Sequence, residues 1–121
     1  MGHKSRLGVA SPSEPLDSGQ YRPEEVATIV TEAEHRHTYV TAHAYSPESM
    51  RLAADNGVAC LEHGNLVDAA TASHLAGLGT TVVPTLVTYW ALRDHGEKFG
   101  FPQRSQAKNE GLFEQGRTAI G

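Results

Sequence analysis

The chain has 121 residues, of which 39% are hydrophobic and 20% are charged, a composition typical of one globular domain and not of a disordered segment. The formal net charge of −4 comes with no cluster of Lys and Arg, which argues against nucleic acid as a partner. No apolar run has the length of a membrane span, so no membrane partner is expected either. The single cysteine, Cys60, cannot form an intramolecular disulfide, which fits a reducing cytoplasm.

The chain is expected to consist of a short N-terminal extension and one domain. Residues 1–6 are polar and are expected to be an extension or a tag-like start, because no hydrophobic segment of the secretory type follows them. Residues 7–121 are expected to form one domain. The first part of this domain, residues 7–22, is rich in Pro, Ser, Gly and Asp and is predicted to be an irregular loop.

Helices and strands are predicted to alternate from residue 23 onward. Pro suits the first helical position, Ser and Asp suit N-caps, and Gly suits the end of a helix. Short apolar strands between helices favour right-handed crossovers and a parallel sheet, which is the α/β class. The predicted elements in chain order are a helix from Pro23, a strand over residues 38–43, a helix from Ser46 to Asn56, a strand over 58–61, a helix from Asp68 to Gly77 or Gly79, a strand over 80–83, a helix around 89–98 and a polar helix from Pro102.

Two histidines stand at the predicted strand ends, where parallel α/β proteins gather their chemistry. His43 closes the first predicted strand, and His63 closes the second, in the segment LEHGN of residues 61–65. Two imidazoles on adjacent parallel strands could share one metal ion. The alternative is that each is a hydrogen-bonded polar residue at the start of a loop. Two histidines also leave a zinc site incomplete, since zinc takes three or four protein ligands.

No catalytic residue is assigned from the spacing of residues. Alternation predicts that Glu62 points away from His63 toward the helices, in a structural role rather than as a general base. The sequence has no Gly-x-Ser-x-Gly nucleophile motif and no phosphate-binding glycine loop. The remaining histidines of the domain fall in or near predicted helices and are weaker ligand candidates: His35, His37, His74 and His95.

Three segments together resemble the amidohydrolase superfamily, in particular its imidazolonepropionase-like and Xaa-Pro dipeptidase-like branch. They are residues 39–45 (YVTAHAY), 61–65 (LEHGN) and 83–86 (VPTL). The resemblance extends over nearly the whole chain from residue 7, and it implies a partial (β/α)8 TIM-barrel segment that covers roughly strands five to seven. Further segments that match this branch are residues 8–12 (GVASP), 20–21 (QY), 88–90 (TYW) and 96–100 (GEKFG).

The resemblance also implies an activity and a site. It implies hydrolysis of amide or peptide bonds, in dipeptides or N-acyl amino acids, by water that a divalent metal activates, with zinc as the favoured metal. His43 and His63 correspond to ligands of the second metal in this superfamily. Tyr45 corresponds to a residue that faces the mouth of the barrel, where it is expected to donate a hydrogen bond to a substrate carboxylate.

Other parts of the superfamily's site are not found at matching positions of this sequence. The His-x-His pair of strand one and the aspartate of strand eight have no counterpart, and Lys4 is out of register for the carboxylated lysine. Whether the chain is an enzyme therefore stays open. One alternative is a catalytically inert α/β fragment that acts as a folding or oligomerising unit. Another is a metal-binding module that uses His43, His63 and a carboxylate ligand from a neighbouring molecule. Open sheet edges predict a homo-oligomer or a complementing chain.

Overall fold

The computed structural model describes residues 21–120. It contains a three-stranded parallel sheet in the order β1–β2–β3, with helices between consecutive strands. The predicted α/β class and parallel sheet are thus confirmed. No helix within residues 21–120 is long and apolar enough to cross a membrane. The elements are α1 (Pro23–His35), β1 (Thr41–Ala44), α2 (Pro47–Asp55), β2 (Cys60–His63), α3 (Ala69–Leu78), β3 (Thr81–Val83), α4 (Leu86–His95), a 3-10 turn (Gly96–Phe99) and α5 (Gln103–Ile120).

The helix ends follow local chemistry as predicted. The Ser46 side chain accepts a hydrogen bond from the backbone N–H of Ser49 at the start of α2. The Asp68 side chain does the same for Thr71 at the start of α3, at 2.6 Å. Gly79 ends α3 in the left-handed conformation, which glycine adopts without steric cost. These caps fix where each helix begins and ends, and therefore how the chain enters the next strand.

The strands begin later than the sequence predicts. The N–H groups of Thr38, Val58 and Thr80 each donate to a carbonyl of the preceding helix, at 3.0–3.1 Å. These groups close the last helical turn and so take no part in the sheet. As a result β1 and β2 start at Thr41 and Cys60, and His43 is the third of four residues in β1, with Ala44 as the last.

The two faces of the sheet differ in what covers them. Ala42, Ala44, Leu61 and Val82 pack against the helices, and Leu61 is 0% exposed at the centre of this core. The opposite face has no covering element among residues 21–120. Its residues, which alternate with the apolar ones, are Thr41, His43, Cys60, Glu62, Thr81 and Val83.

The expectation for Glu62 is therefore wrong. Its carboxylate accepts a hydrogen bond from the Thr41 hydroxyl at 3.4 Å, on the open face. Leu61 occupies the helix-facing position instead. Glu62 thus lies on the same face of the sheet as His43, with which it is paired in the register of β1 and β2.

Two further features complete the fold. In α1, Val26 and Val30 are buried, whereas Ile29 is 47% exposed because it lies at the edge of the apolar face of the helix. A second core cluster joins α4 and α5 with the loop after β1, through Tyr45, Tyr89, Leu112 and Phe113. This cluster lies at the carboxyl ends of the strands, where the predicted site residues are found.

Candidate metal centre

The position of His63 departs from strand alternation. The sheet pairs His63 with Ala44, a helix-facing residue, and not with His43. A regular strand would therefore direct the side chain of His63 to the same side as Leu61. The backbone of His63 instead has φ 83°, which non-glycine residues rarely adopt, and its ring meets that of His43.

Gly64 makes this turn possible. It follows His63 with φ 60°, and a Cβ atom added there would lie 2.8 Å from Cγ1 of Val82 on the neighbouring strand. A larger residue there would have to displace the Val82 side chain or straighten the turn. The close approach of Val82 thus favours glycine directly after His63.

The two histidines are in direct contact. Nδ1 of His43 lies 2.8 Å from Nε2 of His63, and the ring centroids are 4.9 Å apart. One of these nitrogens donates a proton and the other accepts it, so one lone pair already points into the gap between the rings. The ends of β1 and β2 thus bring His43 and His63 together.

The other ring nitrogen of His63 has its own partner. Nδ1 of His63 lies 2.7 Å from the hydroxyl oxygen of Thr85, which follows β3. Burial, with the nearby His43 as the second cause, lowers the pKa of His63 to about 4. His63 is therefore neutral at physiological pH, the state in which an imidazole can bind a metal.

Tyr45 packs directly against His63. The two rings are parallel, with an angle of 4° and centroids 4.7 Å apart. The ring of Tyr89 meets His63 edge-on at 5.8 Å. Burial raises the pKa of Tyr89, and its hydroxyl lies beside those of Tyr45 and Thr85. The rings of Tyr45 and Tyr89 and the hydroxyl of Thr85 thus all contact the His63 ring.

The other sequence candidates lie away from this pair. His74 on α3 bonds to Asp55 at the end of α2, with Nε2 2.6 Å from the carboxylate, and so acts as an interhelix residue. His95 stacks edge-on against Trp90. Lys4 and the GVASP segment lie outside the described residues. Within residues 21–120, no group of three or more His, Cys, Asp or Glu side chains could hold a metal ion.

Two cavities lie near the carboxyl ends of the strands. The larger, of about 520 Å³, is between the loop after β2 and the end of α5, and neither histidine borders it. The smaller, of about 270 Å³, is mostly apolar and is bordered by His63, Val82 and Pro84. His43 borders neither of these cavities and is exposed.

Sequence reasoning missed Thr85 and Tyr89. Thr85 follows the third predicted strand, so its location matched the rule that led to His43 and His63. A hydroxyl is not a typical metal ligand, so this rule does not single it out. Tyr89 stands at the start of a predicted helix, and only the tertiary packing brings it against His63.

Comparison with proteins of known structure places these elements in a larger architecture. The chain aligns over 93% of its length with a prolidase solved in complex with N-methylphosphonate-L-proline, at 48% identity and a TM-score of 0.89. It aligns over the same share of its length with an amidohydrolase, at 48% identity and a TM-score of 0.88, and with a Xaa-Pro dipeptidase solved with bound methionine, at 26% and 0.81. The chain spans 27–28% of the length of these three proteins. No protein-family model and no curated protein matches it.

Proposed function

We propose that this chain, which corresponds to one segment of an amidohydrolase-superfamily barrel, supplies two histidine ligands to a divalent metal centre that hydrolyses amide bonds. The resemblance to that superfamily and to part of its α/β barrel is confirmed by the alignments over 93% of the chain. The proposed substrates are dipeptides or N-acyl amino acids. The names of the similar structures, a prolidase and a Xaa-Pro dipeptidase, support a peptide-like substrate.

The observation that carries this proposal is the convergence of two imidazole nitrogens. Two nitrogens bound tetrahedrally to one zinc ion, at about 2.0–2.1 Å each, are about 3.3 Å apart. Nδ1 of His43 and Nε2 of His63 are 2.8 Å apart, so the rings need to separate by only about half an ångström. The neutral state of His63 removes competition from a proton at physiological pH. The pair therefore fits as half of a four-ligand site.

Each residue then has a defined task. The chemistry that a divalent metal supplies when bound is polarisation of an amide carbonyl and a lowered pKa for water. His43 and His63 hold that metal. Tyr45, which is stacked on His63, donates a hydrogen bond to the carboxylate of the substrate. The remaining metal ligands and the general base come from outside residues 21–120.

The sheet supports completion of the site by further protein segments. Within residues 21–120, β1 and β3 each pair on one side only, and the face that carries His43 is open. Unpaired strand edges favour pairing with another chain or segment. We therefore propose that the active form is a homo-oligomer or a complex with a complementing barrel segment.

A non-enzymatic function is the alternative that the same structure allows. No third ligand accompanies the histidine pair in the described part of the chain. A pair without further ligands binds metal weakly, and the chain is then an inert α/β unit or a simple metal-binding module. The two functions differ in turnover and in the mass of the active species.

Hydrolysis by the full-length chain separates these functions. Release of amino acid from a panel of dipeptides and N-acyl amino acids is measured with added zinc, together with the mass in solution from light scattering. We expect turnover in an oligomeric or complemented species, its loss in His63→Ala and its retention in His74→Ala, a histidine that bonds to Asp55 instead. Turnover that is equal in both variants would contradict the proposal, and absence of both turnover and metal binding leaves the inert α/β unit.

A further inference from the structure

Thr85 has an unusual backbone for its residue type. It follows Pro84 after β3 and has φ 50° and ψ 26°, in the left-handed region. A β-branched residue rarely adopts this conformation, because its side chain crowds the backbone. Such outliers persist when the surrounding structure holds them, and they gather at functional sites. The conformation of Thr85 therefore calls for a specific interaction that maintains it.

The side chain of Thr85 is also used in an unusual way. Thr85 occupies the N-cap position of α4, where a threonine hydroxyl ordinarily accepts a hydrogen bond from the first turn. It makes no such bond, whereas Ser46 and Asp68 do cap α2 and α3 with their side chains. The hydroxyl of Thr85 instead lies 2.7 Å from Nδ1 of His63.

This bond connects two strained residues. Among residues 21–120, the non-glycine residues with positive φ are His37, His63 and Thr85. His63 and Thr85 end neighbouring strands, β2 and β3, and are 22 positions apart in the chain. A single hydrogen bond thus links the side chains of both outliers.

We infer that Thr85 is a positioning residue for His63, which it orients by accepting the Nδ1–H proton in a hydrogen bond. A proton on Nδ1 leaves the lone pair on Nε2, the nitrogen that faces His43. Outer hydrogen-bond partners of this kind set the tautomer and the ring orientation of metal-binding histidines. The inference rests on the proposed function in one respect, namely that His63 binds a metal.

The surroundings of the hydroxyl agree with this role. The hydroxyl oxygen of Thr85 lies 2.7 Å from Nδ1 of His63, and it can accept the Nδ1–H proton because a hydroxyl oxygen carries lone pairs. The opposite arrangement, in which Thr85 donates to Nδ1, would place the proton on Nε2 and block the metal.

Nitrogen NMR of the His63 ring tests the tautomer in the metal-free, full-length chain. The spectra of wild type, Thr85→Gly and Thr85→Ser are compared at mildly alkaline pH. Gly accepts the positive φ without strain, so Thr85→Gly removes the hydroxyl while keeping the turn, and Ser keeps the hydroxyl. We expect the proton on Nδ1 in wild type and Thr85→Ser, and a mixture of tautomers in Thr85→Gly.

A titration with Zn²⁺ on the same three proteins completes the test. Loss of the outer partner is expected to weaken metal binding about 10- to 100-fold in Thr85→Gly, with recovery in Thr85→Ser. An unchanged tautomer in Thr85→Gly, or a proton on Nε2 in wild type, would overturn the role of Thr85 even if zinc binds. A tautomer that shifts in a chain that binds no zinc would uphold the orienting bond while refuting the metal function.

Discussion

His43 and His63 are joined by a contact of 2.8 Å between Nδ1 and Nε2, although the register of the sheet pairs His63 with Ala44. The contact exists because the chain leaves regular strand geometry at His63, where φ is 83°. A metal-binding pair on two adjacent strands thus depends on a turn as much as on the strands.

The first prediction concerns Gly64, which follows His63 in the turn. We expect Gly64→Ala to lower the free energy of unfolding by about 1–3 kcal/mol, because the residue has positive φ and its Cβ would lie 2.8 Å from Val82. Urea denaturation measures the change. The control is Gly77→Ala on α3, where a Cβ meets nothing within 4 Å and should stabilise the helix by about 0.5–1 kcal/mol. Equal changes in unfolding free energy for the two substitutions would contradict the positive φ and the close contact with Val82 at Gly64.

The second prediction concerns the two faces of the sheet. Leu61 is 0% exposed and faces the helices, so we expect Leu61→Ala to cost about 2–5 kcal/mol of unfolding free energy. Leu78 is 51% exposed at the end of α3, and Leu78→Ala should cost less than about 1 kcal/mol. Thermal unfolding of both variants gives the comparison. A small effect at Leu61 would mean that the helices do not cover this side.

The third prediction concerns pH. The pKa of His63 is lowered to about 4 from 6.5 by burial, with His43 as the second cause. Between these values the unfolded chain binds more protons at this position than the folded chain does. Stability therefore rises with pH from about 4 to 6.5, as far as His63 is concerned, and is complete above 6.5.

Urea midpoints at a series of pH values test this dependence. In His63→Gln the part of the slope that belongs to His63 should vanish, while in His74→Gln it should remain. Partial exposure of the ring to water reduces the size of the effect, so the sign and the pH window are the informative quantities. A slope in His63→Gln equal to that of wild type would contradict the assignment.

The arrangement of helices and strands could be predicted because its signals are local. Ser46, Asp68 and Gly79 act within one turn of a helix, and the structure uses each of them as expected. The strand boundaries could not be predicted as well. Whether the N–H of Thr38 or Val58 bonds to a helix carbonyl or to a neighbouring strand depends on how the helix ends in three dimensions.

The candidate site could be predicted only in part. The carboxyl ends of adjacent parallel strands meet, so the placement of His43 and His63 at one end of the sheet follows from topology, whereas their contact depends on the turn at His63. The face of Glu62 was assigned wrongly because alternation was counted from His63, the residue at which alternation breaks down. Thr85 could not be recognised, since its contact with His63 spans 22 positions of sequence and leaves no local pattern.

The most direct test of the account is an equilibrium titration of the full-length, metal-free chain with Zn²⁺, with bound metal measured after dialysis. Wild type is compared with His43→Ala and His63→Ala, and with His74→Ala as the control outside the pair. The account predicts stoichiometric zinc in wild type and His74→Ala, and its loss in each of the other two variants. Absence of zinc in wild type, or equal zinc in all four proteins, would contradict a metal centre at this histidine pair.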